Sequence, residues 1–274
     1  MSFHDRVDAG RQLANRLQAY AGRADVVVLA LPRGGVPVAY EVAAALRAPL
    51  DVLVVRRLTA FWNHEITIGA AAGGGTTVVD EDLCRALSMP PEVVSDVVTR
   101  EQLEVERRHR HYRDACGEAL DLRGRTVILV DDGMATGASM SAAVAAVAER
   151  QPAAIVVAVP VASYATCAVI AGKVSEIVYL FIRDPVYAVG LWYETYPSVS
   201  DAEACELLKR ARASAHRAAS AEHYRELGAE GTTMRERGFE ERSGPTVELD
   251  DASMRAAEPR TFSVRSNHRS SRGD

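Results

Sequence analysis

The stretch VILVDDGMATGASM, Val127–Met140, decides the fold. Its first four residues are apolar with no polar alternation, the pattern of a strand covered on both faces. Two acids, Asp131 and Asp132, stand where that strand ends. Gly133, Ala135, Thr136, Gly137, Ala138 and Ser139 follow as a turn of small residues that leads into a helix. Small residues let backbone N–H groups approach an anion closely. The helix start adds unpaired N–H groups and a positive dipole end, and Thr136 and Ser139 add hydroxyl donors. The stretch therefore reads as a cradle for a phosphate monoester. The two carboxylates would repel that phosphate. They suit a neighbouring part of the same ligand, either sugar hydroxyls or a hydrated Mg²⁺. A Walker A loop needs a lysine after its second glycine, and a dinucleotide fingerprint needs G-x-G-x-x-G; the sequence has neither.

Outward from this stretch, strands alternate with helices. Apolar runs predict strands at Asp25–Leu31, Asp51–Val55, Thr126–Val130, Ala154–Val159 and Ile177–Ile182. Helices are expected at Asp5–Tyr20, Val36–Leu46, Ser139–Arg150 and Tyr164–Ala171. The alternation predicts an α/β fold with a doubly wound, mainly parallel sheet. Ligands of such sheets bind at the carboxyl ends of the strands, so the turns after Leu31, Val55 and Val130 are the places to look for chemistry. The first turn is ALPRGGV, Ala30–Val36, where Arg33 is a fixed cation and Gly34 and Gly35 permit unusual backbone angles near a ligand. The second carries Arg56 and Arg57.

These segments together resemble the type I phosphoribosyltransferase family. Val127–Ser139 looks like its motif for 5-phosphoribosyl-1-pyrophosphate (PRPP), and Pro32–Gly35 like its pyrophosphate loop. The likeness covers roughly residues 1–210 and points to a poorly characterised bacterial branch. It implies Mg²⁺-dependent transfer of the phosphoribosyl group from PRPP to a nitrogenous, purine-like base, with release of pyrophosphate. Asp131 and Asp132 would hold the ribose hydroxyls or the metal, and with Arg33 they form the expected catalytic set. Gly34, Gly35, Arg56, Arg57, Gly133, Ala135, Thr136, Gly137, Ala138 and Ser139 would bind the phosphates. The family also implies a flap hairpin, placed at Arg57–Val79, and a small C-terminal hood. In the hood, Trp192 and Tyr193 are candidates to stack on the acceptor, with an aromatic mini-core as the alternative. Phe61 and Trp62 are bulky for a mobile flap tip. A different class of function is also open: a non-catalytic sensor of PRPP or nucleotides.

The expected organisation is a phosphoribosyltransferase-like domain over residues 1–213, a helical extension over 214–227 and a disordered tail over 228–274, where charge, Ser and Gly dominate. Ser200 and Glu203 form a capping box for the last helix. A net charge of −5 gives no general reason to bind nucleic acid or an anionic membrane. The Arg107, Arg108, Arg110 and Arg113 cluster lies on a charged helix expected at Pro90–Arg113. It reads as a solvated face stitched by Glu104–Arg108 and Glu106–Arg110 pairs. Cys84, Cys116, Cys167 and Cys205 have no metal spacing and read as reduced structural thiols. The first residues lack the apolar core of a signal peptide, and no apolar run reaches the roughly 18 residues of a membrane span. The expectation is a cytoplasmic homodimer acting on small molecules.

Overall fold

Residues 2–60, 62–215 and 217 are described by a computed structural model. In chain order the elements are α1 (Arg6–Arg16), β1 (Val26–Ala30), α2 (Gly35–Leu46), β2 (Leu50–Val52), β3 (Val55–Ala60), β4 (Asn63–Ala72), β5 (Thr76–Val79), α3 (Glu81–Ala86), α4 (Pro91–Cys116), β6 (Thr126–Val130), α5 (Ala138–Ala148), β7 (Ala154–Ser163), α6 (Tyr164–Ala171) and β8 (Glu176–Arg183). A last helix occupies residues 201–215. The expected tail, 228–274, lies outside the described residues, as does most of the expected extension at 214–227.

Five strands form a parallel sheet in the order β2-β1-β6-β7-β8. Its residues sort by the two-residue period of a strand. Val26, Val28 and Ala30 of β1, with Ile128 and Val130 of β6, join one core with α1 and α2. Val27 and Leu29, with Val127 and Leu129, join a second core with α5 and α6. Burial on both faces explains why these strands read as unbroken apolar runs.

The run Asp51–Val55 departs from expectation. β2 ends at Val52, and Val55 already opens β3 in a separate three-stranded antiparallel sheet, β3-β4-β5. Leu53 and Val54 between them are buried at 3% and 2% exposure, so hydrophobicity gives no mark of the change of sheet. Arg56 and Arg57 therefore lie on the flap rather than at the end of a main-sheet strand. The flap is three strands from Val55 to Val79, not a single hairpin.

α1 starts on Asp5, whose carboxylate accepts from the Asp8 N–H at 2.8 Å. Ala9, Leu13 and Ala14 face inward, and Gly10 lets α1 press on α2: a Cβ there would stand 2.8 Å from the Val38 carbonyl oxygen. α4 pairs Glu104 with both Arg107 and Arg108. The expected Glu106–Arg110 pair is replaced: Glu106 accepts from the Gly74 and Gly75 N–H groups at 3.1 Å and from Gln102 at 3.0 Å. Arg113, expected in a solvated cluster, turns inward to Asp51. One face of α4 thus grips the β4–β5 turn and the foot of β2. At the start of the last helix, the Glu203 N–H donates to Ser200 Oγ at 3.1 Å, one half of the expected box. No helix among the described residues is long and apolar enough to cross a membrane. Cys84, Cys167 and Cys205 are buried free thiols.

Candidate functional site

β1 and β6 lie side by side in register, Ala30 opposite Val130. That pairing brings the two candidate loops together at one sheet edge. The Leu31 N–H donates to the Val130 carbonyl at 2.9 Å, and the Pro32–Arg33 peptide beyond it is cis. Gly34 has ordinary helical angles, φ −58° and ψ −35°, so unusual backbone angles do not explain it. Space does. A Cβ on Gly34 would collide with Asp132 Oδ2, and one on Gly35 would fall 2.7 Å from the Val130 carbonyl oxygen and 2.9 Å from Asp131 Cα. The paired glycines let the first loop lie directly against the acidic pair.

The turn after β6 has the form of an anion cradle. Gly137 caps α5 at φ +69°, a left-handed angle that favours glycine. No side chain caps the helix, so the first-turn N–H groups of Ala138, Ser139 and Met140 have no intrahelical partner. Thr136 and Ser139 are exposed on the same turn, and Ala138 is half-buried. The turn is held from outside: Thr166 Oγ1 donates to the Ala135 carbonyl at 2.7 Å, and a Cβ on Gly137 would collide with Thr166 Cγ2. Gly133 is roofed by Val189, which a Cβ would approach to 2.5 Å.

The two acids differ. Desolvation, followed by the neighbouring Asp132 carboxylate, holds Asp131 well above the usual carboxylate range. Asp131 Oδ1 also accepts from the Asp132 N–H at 2.9 Å. Asp132 Oδ2 takes 2.8 Å bonds from Arg6 Nε and from the Tyr196 hydroxyl. Arg6 further donates to the Pro197 carbonyl at 2.7 Å and lies 3.8 Å over the Tyr196 ring. Burial is the largest single influence and works against the Arg6 charge, but the bond and charge of Asp132, with Tyr196, together outweigh it and its pKa rises. Burial, then Asp132, pushes the Tyr196 hydroxyl up to about 12. Asp132 is thus committed through Oδ2, and among the described residues Asp131 makes no ion pair.

The cations take separate places. Arg33 is half-exposed with Nη1 3.8 Å from Asp201 on the last helix, and Asp201 in turn accepts from the Tyr112 hydroxyl at 2.9 Å. Arg56, Arg57 and Ser139 meet around a cavity of about 500 Å³ that Thr59, Arg100 and Glu101 also line. Arg56 pairs with Glu101 at 2.5 Å, and Arg100 touches the same carboxylate at 3.2 Å. Three arginines against one glutamate leave this cavity positive beside the cradle.

Tyr193 does not present its ring to a ligand. It is 7% exposed, packs on Phe3 and Tyr196, and donates its hydroxyl to the Asp132 carbonyl at 2.6 Å. Its role is to fasten the segment after β8 to the acidic pair. Trp192 is half-buried and stacks on Phe181.

Arg6, Tyr196, Asp201, Tyr112 and Arg100 were not anticipated at the site. Arg6 left a signal: it precedes Gly10, Leu13 and Leu17 on the inward stripe of α1, and a charge on an apolar stripe calls for a buried partner. Among the described residues no three His, Cys, Asp or Glu side chains cluster as a metal site. Asp131 and the second oxygen of Asp132 are hard donors, too few for a closed cage. As hard oxygen donors they would suit a hydrated Mg²⁺.

The whole chain can also be compared with known proteins. The phosphoribosyl transferase domain model matches residues 2–178. Two curated Mycobacterium tuberculosis proteins carrying the name phosphoribosyl transferase are 41% identical over 209 residues, covering 76% of the chain and 47% of each relative. The chain therefore spans about half the length of these relatives. The crystal structure of TT1426 from Thermus thermophilus is 38% identical, with a TM-score of 0.71, over 77% of this chain and 99% of that one.

Proposed function

The chain belongs to the phosphoribosyl transferase domain family, and from that premise we propose that it transfers the phosphoribosyl group of PRPP to a nitrogenous, purine-like base, releasing pyrophosphate. One observation carries this reading: the Gly34–Gly35 turn packs directly on Asp131 and Asp132 beside the uncapped start of α5. A leaving-group loop, a ribose-binding acid and a phosphate cradle then share one sheet edge.

In this mechanism the first-turn N–H groups of α5, with Thr136 and Ser139, hold the 5-phosphate. Asp131 binds the ribose hydroxyls. Arg33, Arg56 and Arg57 face the pyrophosphate. A ring nitrogen of the base attacks C1 of the ribose as the C1–oxygen bond to pyrophosphate breaks, so an N–C bond replaces a C–O bond. Positive charge builds on the sugar and negative charge on the leaving group. Positioning and fixed charges supply most of the rate. Asp131 and Asp132 would hold a Mg²⁺, which would supply charge neutralisation at the leaving diphosphate. Trp192 stands near the acceptor. The Arg57–Val79 flap limits access of water to the reacting carbon.

The protein acts on small molecules in the cytoplasm as a homodimer, without nucleic acid. The net charge of −5 and the pairing of Arg107 and Arg108 with Glu104 support the last point.

Calorimetric titration of Mg²⁺–PRPP into the wild type and Asp131→Asn tests the reading. Micromolar binding, weakened at least about tenfold in the variant, is expected; absence of binding by folded wild type overturns it. A second reading, a non-catalytic PRPP sensor, is favoured by the commitment of Asp132 to Arg6 and Tyr196. A pyrophosphate-release screen over bases separates the two.

A further inference from the structure

Beyond Asp132 the sheet edge continues to a cleft that the phosphate chemistry does not use. It measures about 380 Å³ and is lined by Phe181, Arg183, Pro185, Tyr187, Leu191 and Trp192. Its place follows from strand order. β8 lies two strands from β6, and at the usual strand spacing that is roughly 10 Å from the acidic pair. The hood joins the two places, since Val189 covers Gly133 and Tyr193 bonds the Asp132 carbonyl.

Three of its lining residues, Phe181, Tyr187 and Trp192, are aromatic, beside the polar Arg183. Phe181 and Trp192 stack with ring centres 6.0 Å apart. Tyr187 and Leu191 are 85% and 75% exposed, so the rim offers large apolar surface with no cover. The one charged lining residue is Arg183. Its guanidinium stands 6.0 Å from the Trp192 ring and donates to the Ile182 carbonyl at 2.9 Å. Among the described residues no carboxylate pairs with it. The nearest acids in sequence are turned elsewhere: Asp184 accepts from Ser163 at 2.8 Å, Glu176 accepts from the Tyr20 hydroxyl, and Glu194 meets His4 at 3.2 Å and Ser2 at 3.3 Å. Aromatic walls with one unpaired planar cation match a flat ring bearing negative charge.

We propose that this cleft selects an anionic aromatic acceptor, with the ring against Trp192 and Tyr187 and its carboxylate on Arg183. The proposal rests on the transferase reading and narrows its acceptor class.

The test is ligand-observed NMR titration of the full chain with pyridine-3-carboxylate and its uncharged counterpart pyridine-3-carboxamide. The carboxylate is expected to bind about tenfold tighter, an advantage that shrinks with added salt. Arg183→Gln is expected to reduce the preference below about threefold, and Arg183→Lys to keep part of it. Arg183 is exposed, so both variants should melt with the wild type. Equal or tighter binding of the amide, an unchanged preference in Arg183→Gln, or no binding of either probe overturns the proposal. Mg²⁺–PRPP titration of the same samples separates the two claims. Carboxylate selectivity without PRPP binding sinks the transferase reading alone. PRPP binding without selectivity sinks the acceptor class alone.

Discussion

Arg6 Nε donates to Asp132 Oδ2 at 2.8 Å, joining side chains 126 positions apart that are 9% and 11% exposed. This pair ties the first helix to the centre of the ligand-binding edge. It divides the two acids: Asp132 braces the hood through Arg6 and Tyr196, and in the proposed mechanism Asp131 is the acid that meets the ligand.

Removing Arg6 strands a buried carboxylate. Arg6→Met is expected to destabilise the fold by about 3–5 kcal/mol in denaturant unfolding. Adding Asp132→Asn should recover part of that loss, because no charge is then left unpaired. A double variant as unstable as the sum of the singles would contradict the coupling.

Gly34→Ala places a methyl group in contact with Asp132 Oδ2. It should weaken Mg²⁺–PRPP binding by more than about tenfold and destabilise by about 1–3 kcal/mol. At Gly137 two penalties separate. Gly137→Ala meets both Thr166 Cγ2 and a left-handed backbone. Thr166→Ser in the same chain removes the clash and keeps the hydroxyl, so melting should recover only the steric part and leave a backbone loss of about 1–3 kcal/mol.

The raised pKa of Asp131 gives a pH signature. The folded state holds its proton above the ordinary value of 3.8, so over that interval it binds more protons than the unfolded chain. Stability from this group is present below pH 3.8 and is lost as pH rises toward the folded pKa. Asp131→Asn should therefore be more stable than the wild type at about pH 7, with the gain vanishing near about pH 4. Thermal melts across that range check this. A gain that persists at the acid end would place its origin elsewhere.

Arg57 lines the positive cavity with no ion-pair partner among the described residues. Arg57→Ala is expected to reduce PRPP affinity by about tenfold, with a shallower salt dependence and an unchanged melting temperature. Arg56→Ala should weaken binding further, because it also leaves Glu101 with Arg100 as its one remaining cation at the cavity. Calorimetry at two salt concentrations compares them.

The central sheet was legible because parallel strands buried on both faces leave unbroken apolar runs, as at Val127–Val130. The turn and helix start after β6 were legible because their residues are adjacent in sequence. The sheet switch at Leu53–Val54 was not, since a residue packed between two sheets is as apolar as one within a sheet. Tyr193 misled for a related reason. An aromatic in the hood looks alike whether its ring faces a ligand or seals Phe3 and Tyr196. Arg6 escaped because its partner is remote in the chain and only the folded topology brings it near.

The absence of a side chain at Gly34 has a consequence for redesign. The loop after β1 and the acids after β6 fit each other so closely that neither can be exchanged alone. A graft of Pro32–Gly35 from a relative would need Asp131–Gly133 from the same donor. Because Arg6 and Tyr196 fix where Asp132 sits, those positions would have to travel with them. These four short segments, scattered from the first helix to the hood, would have to be transplanted as one cassette.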